Sequence, residues 1–234
     1  MPVRSVNYFG SYLQRFLGVV VAVVILLLIA GCADRSAAQK QSGPSKVGQD
    51  KRGELQEGDI LFQVSRSGQG AAIQAATRSP YSHCGIFFQD SGKSFVLEAV
   101  QPVRITPLEK WISQGDGRHY VAKRLKNAEM VLTPAVIQQM KKEGKKHIGK
   151  KYDFTFQWSD DRIYCSELVW KVYARATQIE LASLDLFSDF DLSGELTRKI
   201  LRDRFGDDIP LDEKAISPGK IFESDKLKTI LTVN

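Results

Sequence analysis

Cysteine and histidine are scarce in this chain, each occurring three times in 234 residues. So few thiols exclude the disulfide framework of a small secreted scaffold. The candidate metal ligands His83, Glu98, His119 and Cys165 lack the close spacing of a zinc motif, which argues against a metal centre. No internal repeat is visible, and no stretch resembles a nucleic-acid motif, so neither a repeat array nor a nucleic-acid partner is expected. The formal charge of +6 is modest. Lys141, Lys142, Lys145, Lys146, Lys150 and Lys151 supply much of the local excess. Such a run reads first as a solvated helix face, with attraction to anionic head groups or an anionic polymer as the alternative.

Long apolar runs are limited to one, Phe16 to Ala30, preceded by Arg4 and Arg15 and closed by Ile29-Ala30-Gly31-Cys32. It is short of the roughly 20 residues that span a bilayer and ends in small residues, as an export signal does. Its last four positions resemble the lipobox of bacterial lipoproteins. The resemblance implies a signal peptide at 1–31, cleavage before Cys32, diacylglycerol on the Cys32 sulfur and acylation of the new amino group. Removing Arg4 and Arg15 would lower the formal charge from +6 to +4. Ala33 after the anchor resembles the pattern sent on to the outer membrane, facing the periplasm, where the cell has one. A single-span anchor is the alternative.

Residues 32–53 contain no large apolar side chain except Val47, so they bury too little to offset ordering and read as a flexible tether. Residues 54–234 suffice for one domain with a full core. Gly58-Asp59 feeds an apolar strand at Ile60-Leu61-Phe62, and Gly70 to Thr77 is predicted helical. His83 stands at the mouth of a strand, Cys84 to Phe88. A turn at Asp90 to Lys93 leads to a second strand, Phe95 to Val100, forming a hairpin. Glu98 interrupts that apolar strand and needs a partner. Antiparallel pairing brings it toward His83, although a surface lysine would serve. Thr106-Pro107 and Thr133-Pro134 each read as helix starts with threonine at the N-cap. A strand is expected at Tyr120 to Leu125 and another at Leu227 to Val233. Between them, Leu196 to Phe205 reads as a helix stopped by Gly206.

Cys165 opens an amphipathic helix. Leu168, Val169, Val172 and Ala176 share its apolar side, with Glu167, Lys171 and Arg175 opposite. The unpaired N–H groups and positive end of a first turn favour a thiolate. An inert core cysteine is equally compatible with this position.

His83, Glu98 and Cys165, in that order, resemble the circularly permuted papain-like enzymes of the NlpC superfamily, in particular the YiiX-like group of bacterial permuted amidases, with a more distant likeness to lecithin retinol acyltransferase. The likeness rests on Gly58-Asp59-Ile60-Leu61, Tyr81-Ser82-His83 before a glycine and a strand, Leu97-Glu98-Ala99, Gly149-x-x-Tyr152-Asp153 and Tyr164-Cys165-Ser166-Glu167-Leu168. Ile216-Ser217-Pro218-Gly219 is a weaker echo. It implies an α+β, permuted papain-like fold: an antiparallel sheet or half-barrel with the cysteine helix packed on it. It also implies an acyl-thioester mechanism without a cofactor, with Cys165 as nucleophile, His83 as base and acid, and Glu98 orienting His83. N–H groups at the helix start and an unidentified polar side chain would hold the oxyanion. Tyr152 and Tyr164 are candidates for the substrate wall, or ordinary core aromatics.

Cys84 and Cys165 could form a disulfide in an exported compartment. Alternation along the strand turns Cys84 away whenever His83 faces Cys165, which disfavours that bond. His119 and His147 read as surface residues. The expected function is an envelope-anchored thiol hydrolase or acyltransferase acting on a cell-wall peptide or a lipid-linked substrate. A lipoprotein that only binds lipid or peptide in the same cleft is the alternative.

Overall fold

The computed structural model describes residues 54–234; the expected signal segment, Cys32 and the tether lie outside the described residues. A six-stranded, wholly antiparallel sheet organises the chain. It contains β1 (Ile60–Ser65), β2 (His83–Asp90), β3 (Lys93–Glu98), β4 (Arg104–Pro107), β5 (Gly115–Leu125) and β8 (Leu227–Val233) in the order β4-β3-β2-β1-β5-β8. A two-stranded ribbon, β6 (Asp185–Leu186) with β7 (Lys214–Ala215), lies apart from it. The helices are α1 (Gly68–Thr77), α2 (Leu108–Gln114), α3 (Ala128–Val131), α4 (Pro134–Lys145), α5 (Cys165–Thr177), α6 (Glu195–Phe205) and α7 (Pro218–Phe222).

Alternation along the strands sorts the core into two layers. Ile60, Phe62, Cys84, Ile86 and Phe88 meet Leu168, Val169, Val172 and Tyr173 of α5 and Ile137 and Met140 of α4. Leu61, Phe87, Val96, Tyr120 and Ala122 meet Leu108, Trp111 and Ile112 of α2 on the other face. Full burial of Leu168, Val169 and Val172 stabilises the docking of α5 by about 1.5–3 kcal/mol each. This is the antiparallel sheet with the cysteine helix packed against it that the sequence leads one to expect.

The Gly58-Asp59 turn is built around two demands. Gly58 has φ +90°, and its carbonyl accepts from the Tyr173 hydroxyl of α5. The buried Asp59 carboxylate accepts from Arg124 Nε at 2.7 Å and from Gln56 N–H at 2.7 Å. The turn just before β1 is thereby tied to α5 and to β5. Gly85 is required for a different reason: a Cβ there would lie 2.5 Å from Val96 Cγ1 and 2.8 Å from the Leu97 carbonyl oxygen.

Along α5, Glu167 and Lys171 are buried as an ion pair at 2.7 Å, and Lys171 also reaches Asp160 at 2.9 Å. Two expectations need correction. Thr106 does not cap a helix; it belongs to β4, α2 begins at Leu108 with Pro107 before it, and the Thr106 hydroxyl is committed to Glu98. His147 is buried between Glu143 and Lys150, and burial, with Lys150 adding to it, pushes its pKa down to about 4. Thr133 does cap α4, accepting the Val136 N–H, and α6 ends at Gly206 with φ +61°.

Candidate active site

Strand pairing places His83 and Glu98 at the same end of the β2–β3 hairpin, and His83 Nε2 lies 2.8 Å from Glu98 Oε2. Glu98 is fully buried. Its second oxygen accepts a 2.6 Å hydrogen bond from the Thr106 hydroxyl and a longer one, 3.4 Å, from Arg104 Nε. Both donors come from β4, where Arg104 is the register partner of Glu98. Burial opposes ionisation of this carboxylate, but His83, Thr106 and Arg104 outweigh it and hold Glu98 below its usual range. The far face of the His83 ring stacks on Trp111, centroids 6.1 Å apart.

With Nε2 committed to Glu98, the imidazole has Nδ1 left, and the neighbouring Cys165 favours its charged form. Burial works against the charged ring; Cys165 and Glu98 together overcome it and push His83 up to about 10. The Cys165 thiol is held well below its ordinary range, by the Cys84 thiol first and by His83 after it, against the cost of burial. Charge therefore separates into a thiolate and an imidazolium backed by a carboxylate.

Cys84 is the residue whose orientation differs from expectation. Alternation along β2 holds, with Cys84 in the α5-side core and His83 toward Trp111. Cys165 nevertheless meets both side chains, because it enters at the mouth of β2. The β2–β3 ladder begins only at Ile86 and Leu97, so the Cys84 N–H escapes strand pairing and is directed at the Cys165 sulfur. Cys84 and Cys165 are both free thiols.

The helix start is gripped from outside. The Tyr164 N–H donates to Glu167 Oε2 at 3.3 Å, closing the first turn. The Tyr164 hydroxyl accepts the Ile216 N–H at 3.1 Å, and the Ser166 hydroxyl donates to the Ile216 carbonyl at 2.7 Å. Ile216 is thus clamped on both sides, which gives the Ile216-Ser217-Pro218-Gly219 segment its structural purpose. Gly219 is needed there because a Cβ would lie 2.5 Å from Ser79 Cβ.

Two concavities meet near these residues. An apolar cavity is lined by Cys165 and Tyr164, by Ala72, Ile73 and Ala76 of α1, by Ile200 and Leu201 of α6, and by Phe156, Phe187 and Phe190. A second, more polar cleft is bordered by Ser65, Ser67, Ser82, His83, Gln101, Tyr152 and Phe154. Gln69 and Ile73 line both. Tyr164 is a fully buried wall of the first, edge-on to Phe156, whereas Tyr152 is half-buried beside the second. Sequence reasoning missed Thr106, Arg104 and Gln69. For the first two a signal existed, since they stand two apart on a strand that follows Glu98; Gln69 carried none.

Among the described residues no group of three or more histidine, cysteine, aspartate or glutamate side chains is arranged to hold a metal ion. Residues 54–231 match the family model for the permuted papain-like amidase enzyme, YaeF/YiiX, C92 family. The chain is 43% identical over 175 residues to the uncharacterized protein YiiX of Escherichia coli K12, covering 75% of this chain and 85% of that one. It is similar to a crystal structure titled metalloprotein yiiX from Escherichia coli O157:H7, with a TM-score of 0.73 and 43% identity over 76% of this chain and 97% of that one. Pairing, helix and site geometry thus agree with the sequence relationship, and the chain belongs to the YaeF/YiiX family of permuted papain-like amidases.

Proposed function

We propose that this chain is a thiol hydrolase that cleaves an amide or ester joining an acyl chain to a polar amine or alcohol. The observation that carries the reading is the apolar cavity that Cys165 and Tyr164 line together with Ala72, Ile73, Leu201 and Phe187. A peptide substrate would leave its amide groups unpaired against those walls, at a cost of roughly 1–3 kcal/mol each. An acyl chain has nothing to leave unpaired. The more polar cleft past His83 suits the departing head group.

In the reaction, the Cys165 thiolate attacks the carbonyl carbon, and the imidazolium of His83 gives its proton to the leaving amine or alkoxide. A thioester remains on Cys165. His83 then takes a proton from water as the water attacks the thioester, and the acid is released with the thiolate restored. Glu98 keeps Nδ1 of His83 aimed at sulfur throughout, and the Cys165 N–H, unpaired at a helix start, faces the developing oxyanion. The relative described as a metalloprotein suggests a metal, but the described residues of this chain do not fit a metal centre. No step is routed through one.

The test is hydrolysis of N-decanoyl and N-acetyl amides of one polar amine. The decanoyl amide is expected to be the better substrate and Cys165→Ser to abolish turnover. Equal or preferred cleavage of the acetyl amide would remove the acyl arm, and full activity in Cys165→Ser would remove the mechanism.

The same proposal places the enzyme at the bacterial envelope, lipid-anchored through Cys32, which would bring it to its substrate. Two or more acyl chains suffice for stable attachment. Cys32→Ser is expected to lose metabolic lipid labelling and to slow processing of the precursor; unchanged labelling would end this assignment.

A further inference from the structure

The fold divides the six lysines of the 141–151 run. Lys141 and Lys146 pair with Glu57 and Glu143, and Lys150 donates to His147 and to the Asp160 carbonyl. Lys142, Lys145 and Lys151 are exposed and meet no carboxylate among the described residues. Two of these, Lys145 and Lys151, border an apolar surface. Gly144 packs directly on Leu97, since a Cβ there would lie 2.4 Å from Leu97 Cδ2, and Ile148 follows one turn later on the same side. Ile105, on the edge strand β4, is the register partner of Leu97 and shares its face of the sheet. The two segments are sewn together by the backbone: the Val103 N–H donates to the Lys150 carbonyl and the Gly149 N–H to the Val103 carbonyl, each at 2.9 Å. Ile105 and Ile148, 48% and 42% exposed, therefore stand as neighbours. Phe154, 46% exposed and packed on the Tyr152 ring, carries the patch to the mouth of the polar cleft, which it borders. Three of the seven large apolar side chains exposed among the described residues thus gather on one surface. Exposed apolar residues without a role are scattered singly.

We propose that this surface docks on an anionic lipid bilayer, with Ile105, Ile148 and Phe154 entering the headgroup layer and Lys145 and Lys151 meeting the lipid phosphates. Charge complementarity selects that partner. Basic and apolar groups side by side match an interface where phosphate lies directly above acyl chain, whereas an acidic polymer would leave the apolar tips uncovered. Docked in this way, the polar cleft opens onto the headgroup layer. The contact is separate from any anchor at Cys32 and does not depend on turnover at Cys165.

The test uses the full chain with vesicles of phosphatidylcholine alone or mixed with phosphatidylglycerol in equal parts. A membrane-impermeant N-hydroxysuccinimide acetate labels the lysines, and peptide mass spectrometry reads the rate at each. Phosphatidylglycerol should slow acetylation of Lys145 and Lys151 by about five-fold or more, while Lys93 on the hairpin turn and Lys110 on α2 stay within about two-fold. Attachment through the N-terminal segment is common to both vesicles, so the difference belongs to this surface. Ile105→Ser combined with Ile148→Ser should remove most of the protection. Met130→Ser, which deletes an exposed apolar side chain on α3, should leave it intact. Unchanged rates at Lys145 and Lys151 would overturn the proposal, as would equal slowing at Lys93 and Lys110 or protection that survives the double serine variant. So would equal protection by soluble polyglutamate, which offers negative charge without a bilayer.

Discussion

At the residue scale, the proposed catalytic groups His83, Glu98 and Cys165 are each held by a different strand or helix. Its pH dependence follows from the two shifts. As pH rises, Cys165 loses its proton well below the ordinary thiol range, so the active ion pair forms early on the acid side. His83 keeps its proton until pH nears about 10, and beyond that the acid for the leaving group is lost. The profile of kcat/KM should therefore be flat through neutrality and fall only near pH 10. His83→Ala should cost about 10³-fold or more and Glu98→Ala less, roughly 10²-fold, since the ring remains though untethered. Cys84→Ala removes the thiol that most favours the Cys165 thiolate, so the acid limb of alkylation should move to higher pH. A limb that stays put would show that Cys84 is only core.

At the scale of elements, the hairpin and the helix carry the site, and they were unequally legible. Alternating apolar strands with a turn at Asp90 to Lys93 revealed the hairpin, and antiparallel geometry then brought His83 toward Glu98. Local pattern could not reveal that Thr106 belongs to a fourth strand, because Thr-Pro before a helix-like stretch is also a cap signal, and a carboxylate on the neighbouring strand decided between them. The buried Glu167–Lys171 pair was hidden for the same reason: spacing four apart marks one side of a helix but not what covers it, and here Asp160 and its loop do. Cys84 was misjudged because alternation fixes which face a side chain takes, not how far a neighbouring helix end overhangs the strand. Two consequences of the hairpin can be measured. Thr106→Val should lower stability by about 2 kcal/mol, the worth of a hydrogen bond to a buried carboxylate, in denaturant titrations. Gly85→Ala should cost about 1–3 kcal/mol as Val96 and the Leu97 backbone are pushed back.

At the scale of the whole molecule, α1, α6 and the loops around Phe156 and Phe187 enclose the apolar cavity on one side of a site that the sheet supports from the other. Filling it changes which substrate fits without touching the reacting groups. Ala76→Phe is expected to shift preference from decanoyl toward shorter acyl amides with little change in the alkylation rate of Cys165. Loss for all chain lengths alike would mean that the chain does not lie there.

The clamp on Ile216 bears on when the proposed activity would be acquired. The proposed base, orienting carboxylate and nucleophile are all in place along the chain by residue 165, but the hold on the first turn of α5 comes from a segment some fifty residues later. During synthesis that hold is thus absent until nearly the entire polypeptide has emerged. A product truncated before Ile216 would keep all three side chains without the clamp, and its thiol is expected to react more slowly with iodoacetamide than that of the full chain.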